Sequence, residues 1–176
     1  LKEEDPMYSR SACLIYAVII VLFFAAHPFA KTGFAQTSMP EEKSYNENGL
    51  KHFKKGYYEL APKQQKSEAA RQYGLAEEEF KKAIAIDEGY LEAHVNLARL
   101  YYIQKKYEKA SAEYGKVVEL DPWNIDHYVN LAVTLTELGK FDEAMQILEE
   151  AKTRTTDAHA LRQLDKYMDR INEDNR

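Results

Sequence analysis

The 176-residue sequence predicts an all-α fold, an α-solenoid of about three helical hairpins closed by a C-terminal capping helix. Three observations carry this expectation. Past the N-terminal region, apolar residues recur three and four positions apart, the spacing of one helix face. Only 7 glycines and 5 prolines interrupt the chain, so turns are few. The third observation is an internal repeat of 34 residues, which lays Val95-Asn96-Leu97-Ala98 on Val129-Asn130-Leu131-Ala132. The same shift lays Lys106-Tyr107-Glu108-Lys109-Ala110 on Lys140-Phe141-Asp142-Glu143-Ala144 and, moved backwards, Glu113-Tyr114-Gly115-Lys116 on Glu79-Phe80-Lys81-Lys82. A period of this length marks stacked supersecondary units, none of which buries its apolar face alone.

Composition narrows the function classes. Charged residues make up 30% of the chain but alternate in sign, as in Glu77-Glu78-Glu79-Phe80-Lys81-Lys82. With a net charge of -5 and no concentrated basic patch, nucleic acid is not an expected partner. Cys13 is the single cysteine and lies in the N-terminal apolar run, so the part beyond it has no disulfide, cysteine metal site or thiol nucleophile.

The elements follow in order. From Ala12 to Ala26 every residue is apolar, Arg10 precedes the run and His27-Pro28 breaks it. Small residues then lead to Ala35. Residues 1–35 therefore read as a secretory signal peptide cut before Gln36 or, left uncut, as a membrane anchor. The run is shorter than the roughly 18–20 residues that span a bilayer comfortably. Residues 36–43 are a linker.

Residues 44–88 should form an irregular first hairpin. Tyr45, Gly49, Phe53, Gly56 and Leu60 make a stripe at helical spacing, although two glycines weaken a helix by roughly 1 kcal/mol each. Ala61 to Lys66 reads as an elongated loop, and Ser67 as the N-cap of a second helix carrying Ala76, Phe80, Ala83 and Ile84. Residues 90–122 and 124–156 make two regular hairpins. In the first, Leu97, Ala98 and Tyr101 share one face and Ala110, Tyr114 and Val117 the facing one, until Asp121-Pro122 stops the second helix. In the next, Gly139 ends the first helix. The matching turn at Gln104-Lys105-Lys106 has no glycine, so packing must hold it. Residues 157–176 form the capping helix, with an N-cap signal at Thr155-Thr156-Asp157 and an apolar face of Leu161, Leu164, Met168 and Ile171.

These units resemble the tetratricopeptide repeat, whose 34-residue pattern is Trp-x2-Leu-Gly-x2-Tyr, then Ala-x3-Phe, then Pro. His94-x2-Leu97-Ala98-x2-Tyr101, Ala110-x3-Tyr114 and Pro122 follow it closely. The next copy reads Tyr128-x2-Leu131-Ala132-x2-Leu135 and Ala144-x3-Leu148, with Thr156 in the proline's place. The resemblance covers residues 42–156 and implies protein binding on a concave wall built from the first helix of each unit. It implies that Asn96 and Asn130 either clamp the backbone of an extended peptide in that groove or bond a neighbouring helix. Val95, Arg99, Tyr102, Val129, Val133 and Thr136 are expected on the same wall. Members that grip a C-terminal Glu-Glu-Val-Asp tail set lysines around their asparagines; here Glu92 and Asp126 stand in those places and would repel such a tail.

Beyond the apolar run, His52, His94, His127 and His159 raise the question of a metal. His94 and His127 start equivalent helices, but no third ligand stands at a fixed spacing, and His94 fills the large aromatic slot of its repeat. No nucleophile elbow, phosphate-cradling glycine loop or His-Glu-x2-His motif is present, so neither an enzyme nor a cofactor is expected. The expected function is a non-catalytic scaffold, exported to a periplasmic or extracytoplasmic space, that binds a protein or extended peptide. One alternative is a membrane-anchored subunit of an envelope assembly. Another, of a different class, is a metal-dependent envelope enzyme built on His94 and His127.

Overall fold

The computed structural model describes residues 39–175, so the leader expected over residues 1–35 lies outside the described part. Seven α helices follow one another: α1 (Glu41–Lys54), α2 (Lys66–Ile86), α3 (Leu91–Ile103), α4 (Tyr107–Leu120), α5 (Ile125–Glu137), α6 (Phe141–Thr153) and α7 (Ala158–Asp174). Among the described residues there is no strand, and no helix is long and apolar enough to cross a membrane. Helices α1 and α2, α3 and α4, and α5 and α6 pack as three antiparallel hairpins. Each hairpin also packs on the next, and α7 packs on α6 and α5. The all-α solenoid with a closing helix is thus the observed fold.

Repetition in sequence becomes repetition in packing. Ala98, Ala110, Ala132 and Ala144 are wholly buried where paired helices approach. Leu97, Leu100 and Tyr101 join Phe53, Ala76 and Phe80 in one apolar cluster. Tyr128, Leu131, Leu135 and Leu148 join Leu164, Met168 and Ile171 in a second. One polar contact also repeats. The Tyr128 hydroxyl donates to the Pro122 carbonyl at 3.2 Å, and His94 Nε2, 34 residues earlier, sits 3.1 Å from the carbonyl of Glu88.

The first hairpin departs from expectation in three ways. Helix α1 starts at Glu41, inside the segment expected to be linker, and continues through a π-helical segment, Lys55–Leu60. The break expected over Ala61 to Lys66 is found as a turn at residues 61–65, in which Gln64 adopts φ 59° and from which the 21-residue α2 starts at Lys66. Ser67 is not the N-cap; it lies inside α2, whose cap position is Gln65 with no side-chain hydrogen bond. The glycines of α1 are packing sites. A Cβ on Gly49 would lie 2.5 Å from the Phe80 ring, and one on Gly56 would lie 2.7 Å from that of Tyr73. Close approach of ring to backbone offsets the helix propensity that those glycines sacrifice.

Later boundaries have plain local causes. Asn124 caps α5 by accepting from the Asp126 amide (3.1 Å), and Asp157 caps α7 by accepting from the Ala160 amide (2.7 Å). Gly139 closes the α5–α6 turn at φ 71°, and Lys105 takes the same left-handed conformation, φ 57°, in the α3–α4 turn. A lysine there is strained where a glycine is not.

Candidate partner-binding groove

Of the first helices of the hairpins, α3 and α5 carry the residues expected to bind; α1 precedes them and α7 follows as a fourth. Asn96 on α3 is half-buried, and its Nδ2 donates to Asn46 Oδ1 at 2.9 Å. Asn46 on α1 is buried, and its own Nδ2 reaches the Tyr90 hydroxyl at 3.4 Å. The neighbour-bonding reading therefore describes Asn96. Asn130, at the matching place on α5, is exposed, and its side-chain amide is hydrogen-bonded to none of the described residues. The two asparagines, identical in sequence context, stand in different chemistry.

The open part of the wall lies toward the C-terminus. A cavity of about 250 Å³ is lined by Tyr102 from α3, by Val129, Val133 and Thr136 from α5, and by Tyr167 and Arg170 from α7. A second hollow of about 360 Å³ runs on from it past Ile125 and Asp126 to His159, sharing Val129 and Tyr167. Together they form a slot along the α5–α7 seam, apolar at its floor and polar at its rim. Tyr102 is fixed there: its ring meets Tyr107 edge-on at 5.4 Å and its hydroxyl donates to Glu137 at 3.4 Å. Burial and the Glu137 carboxylate hold that hydroxyl above its ordinary pKa, so it stays a neutral donor. The Thr136 hydroxyl is already used, donating to the Ala132 carbonyl at 3.0 Å. Val95 is half-buried and Arg99 exposed, and neither lines the slot.

Asn46, Glu137, Tyr167 and Arg170 were not singled out from the sequence. The last two carry a faint signal. Leu164, Met168 and Ile171 sit 36 residues after Tyr128, Ala132 and Leu135, so α7 continues the repeat with a two-residue slip that hides it from a strict 34-residue comparison.

His94 and His127 do not come together as a metal site. The buried His94 ring places Nδ1 2.8 Å from Glu113 on α4 and Nε2 against the Glu88 carbonyl, so both nitrogens are engaged. His127 faces Asp121 instead, at 3.4 Å. Among the described residues, no three His, Cys, Asp or Glu side chains are grouped to hold a metal ion.

Comparison with known proteins points the same way as the geometry. No curated protein matches the sequence. Solved structures do match in fold: the first TPR domain of RPAP3 (Spaghetti), bound to the HSP90 peptide SRMEEVD, is 20% identical with a TM-score of 0.55, covering 74% of this chain and 93% of that one. The TPR2B domain of yeast Sti1, in a complex with pHsp70, is 15% identical with a TM-score of 0.58 over 76% and 97% of the two chains. The Arabidopsis OM64 TPR domain is 15% identical with a TM-score of 0.55 over 75% and 94%. These likenesses concern the fold. The tetratricopeptide-repeat family model matches residues 68–115 and 102–164, which together span more than half of the 176 residues. Repeat, hairpin and sequence model agree, and the chain is a member of the tetratricopeptide-repeat family.

Proposed function

We propose that this protein is an exported, non-catalytic scaffold that holds a protein or extended-peptide partner in the slot between α5 and α7. The observation that carries the reading is the slot itself, where Tyr102, Val133 and Tyr167 offer apolar contact; the free amide of Asn130 follows Val129 on α5, outside the lining of the slot. A carboxamide supplies a donor and an acceptor together, so it pairs with a peptide bond whatever side chain follows. RPAP3 and Sti1 domains of the same fold are known in complexes with chaperone segments, which supports peptide binding as a class. The acidic Glu92 and Asp126, both exposed, set the preferred partner apart from an acidic tail. Export rests on the apolar run Ala12 to Ala26.

Val133→Trp tests the slot, because it fills the floor of the cavity from a position that is only half-buried. Partner capture from solubilised cell envelopes, followed by mass spectrometry, should lose its specific species with Val133→Trp while the thermal midpoint stays close to the parent's. Unchanged capture by a folded variant would refute the slot. Intact mass separates the two fates of the leader. A product starting at Gln36 marks a cleaved signal peptide, and a membrane fraction retaining the apolar run marks the alternative, an anchored subunit of an envelope assembly. A soluble cytoplasmic product that keeps the run would contradict both.

A further inference from the structure

We infer that the tip of the first hairpin, formed by the end of α1, the π-helical segment and the turn into α2, is a docking surface for an anionic lipid bilayer. It is separate from the slot and does not depend on it. Lys51, Lys54, Lys55 and Tyr58 follow the i, i+3, i+4, i+7 spacing of one helix face, and all four are exposed. The face opposite them is the one that Gly49, Phe53, Gly56 and Leu60 bury. Lys63 and Lys66 stand exposed in the turn that follows. No concentrated basic patch was expected from a sequence read as alternating in charge; residues 51–66 depart from that reading.

Two features set this surface apart from ordinary solvated helix. Elsewhere among the described residues, unpaired lysines are scattered singly (Lys43, Lys105, Lys109, Lys166), while Lys81, Lys82, Lys116, Lys140 and Lys152 each lie 2.7–3.8 Å from a carboxylate three or four residues away. Among the described residues, none of the five tip lysines is in an ion pair; Lys51 touches only the Asn48 side chain, at 3.4 Å. Glu68 on α2 is held by Arg71 at 2.7 Å, leaving Glu59 as the one acid between residues 51 and 66. Five lysines against one glutamate give the segment +4 within a chain of -5, so the remaining residues carry -9.

The second feature is aromatic. Tyr58 is 66% exposed and Tyr57 41%, yet both are ordered from below. The Tyr57 ring stacks on buried Phe53 at 5.8 Å, and Tyr58 meets Tyr57 edge-on at 4.9 Å. The π-helical closure, Ala61 N–H to Gly56 C=O at 2.9 Å, holds the turn that presents them. A column of rings rooted in the core has little conformational entropy left to lose on docking. Rigid tyrosines beside unpaired lysines suit the headgroup layer, where the ring packs among acyl carbons, the hydroxyl stays wet and the ammonium groups meet anionic lipid. The -9 summed over the rest of the chain favours docking by the tip. It disfavours single-stranded nucleic acid, the other ligand of stacked rings and lysines. The same chain also carries the apolar run Ala12 to Ala26, which the proposed function reads as a leader or anchor that meets a bilayer.

The full chain with Tyr58→Trp and Trp123→Phe has its only tryptophan at the tip, since Trp123 is the single natural one. Its emission is read with vesicles of phosphatidylcholine alone or mixed equally with phosphatidylglycerol, each with and without brominated acyl chains. Blue-shifted emission and bromine quenching are expected with the anionic vesicles only, and both should fade as salt is raised. An inserted N-terminus acts equally on both vesicle types and cannot mimic that difference. Each lysine near an anionic surface is worth roughly fivefold in partitioning, so adding Lys54→Glu/Lys55→Glu should weaken binding by well over tenfold. If that variant fails to fold, Lys63→Glu/Lys66→Glu in the exposed turn makes the same test. Equal signals in both vesicle types, no signal in either, or a response to an oligothymidylate in place of anionic vesicles would overturn the inference.

Discussion

The two ends of the concave wall use the same residue type for opposite purposes. On the α1–α3 side, Asn96 is tied to Asn46, and Asn46 in turn to Tyr90, so the wall there is stitched shut. On the α5–α7 side, Asn130 is exposed and unengaged, next along α5 from Val129, which with Val133 lines an open slot. Repeats of one pattern diverge in this way because a polar residue on the groove face takes whatever partner the neighbouring helix offers. Helix α1 offers a buried asparagine, whereas α7 offers Tyr167 and Arg170, which stand across a gap.

The largest expected effect would break the closed end. Gly49→Leu forces a side chain into the space of the Phe80 ring, 2.5 Å from where its Cβ would stand, and should destabilise the fold by about 3 kcal/mol. Gly74→Ala on α2 meets nothing within 4 Å and should instead be neutral or stabilising by up to about 1 kcal/mol, as helix propensity dictates. Chemical denaturation of the pair checks the contrast; equal effects would mean that α1 does not pack on Phe80.

A smaller effect concerns the seam between the first two hairpins. Glu77 accepts from Lys81 at 2.7 Å and from the Tyr101 hydroxyl at 2.9 Å. Burial alone would raise its pKa, but those hydrogen bonds and the nearby Lys106 bring it below its ordinary 4.5. Its contribution is therefore present in full above pH 4.5 and is lost as the pH falls through the lowered value. Glu77→Gln should cost about 1–2 kcal/mol at neutral pH and converge on the parent in acid. A constant difference down to strongly acidic pH would contradict the assignment. Smaller still, Lys105→Gly relieves a left-handed lysine at φ 57° and should raise stability by up to about 1 kcal/mol, whereas Gly139→Lys, at φ 71°, should lower it by a similar amount.

Much of the fold was legible in the sequence because the 34-residue repeat marks residues that touch the same neighbours in each unit. Leu97 with Leu131 and Ala110 with Ala144 are paired by the repeat and equally buried. In α1 and its π-helical continuation the stripe Gly49, Phe53, Gly56 and Leu60 is the buried face, but the reason for its glycines was not legible: they read as weak helix, and only the Phe80 and Tyr73 rings of α2 explain them. The slot was legible by half. Val129, Val133 and Thr136 follow from the repeat, but its far side is α7, displaced by two residues from the period. The fate of Asn96 depends on Asn46, fifty residues away in an irregular unit, and no local pattern announces a contact of that separation. Nor could spacing along the chain show that the tip lysines lack partners.

The most direct test of the central contrast is the unfolding free energy of Asn96→Ala beside that of Asn130→Ala. Removing Asn96 leaves the buried Asn46 without its donor and should cost about 1–2 kcal/mol, which Asn46→Ala made on top should not repeat in full. Removing Asn130 should change stability by no more than about 0.5 kcal/mol. Equal losses at the two sites, or a larger loss at Asn130, would contradict the division of the wall into a stitched end and an open one.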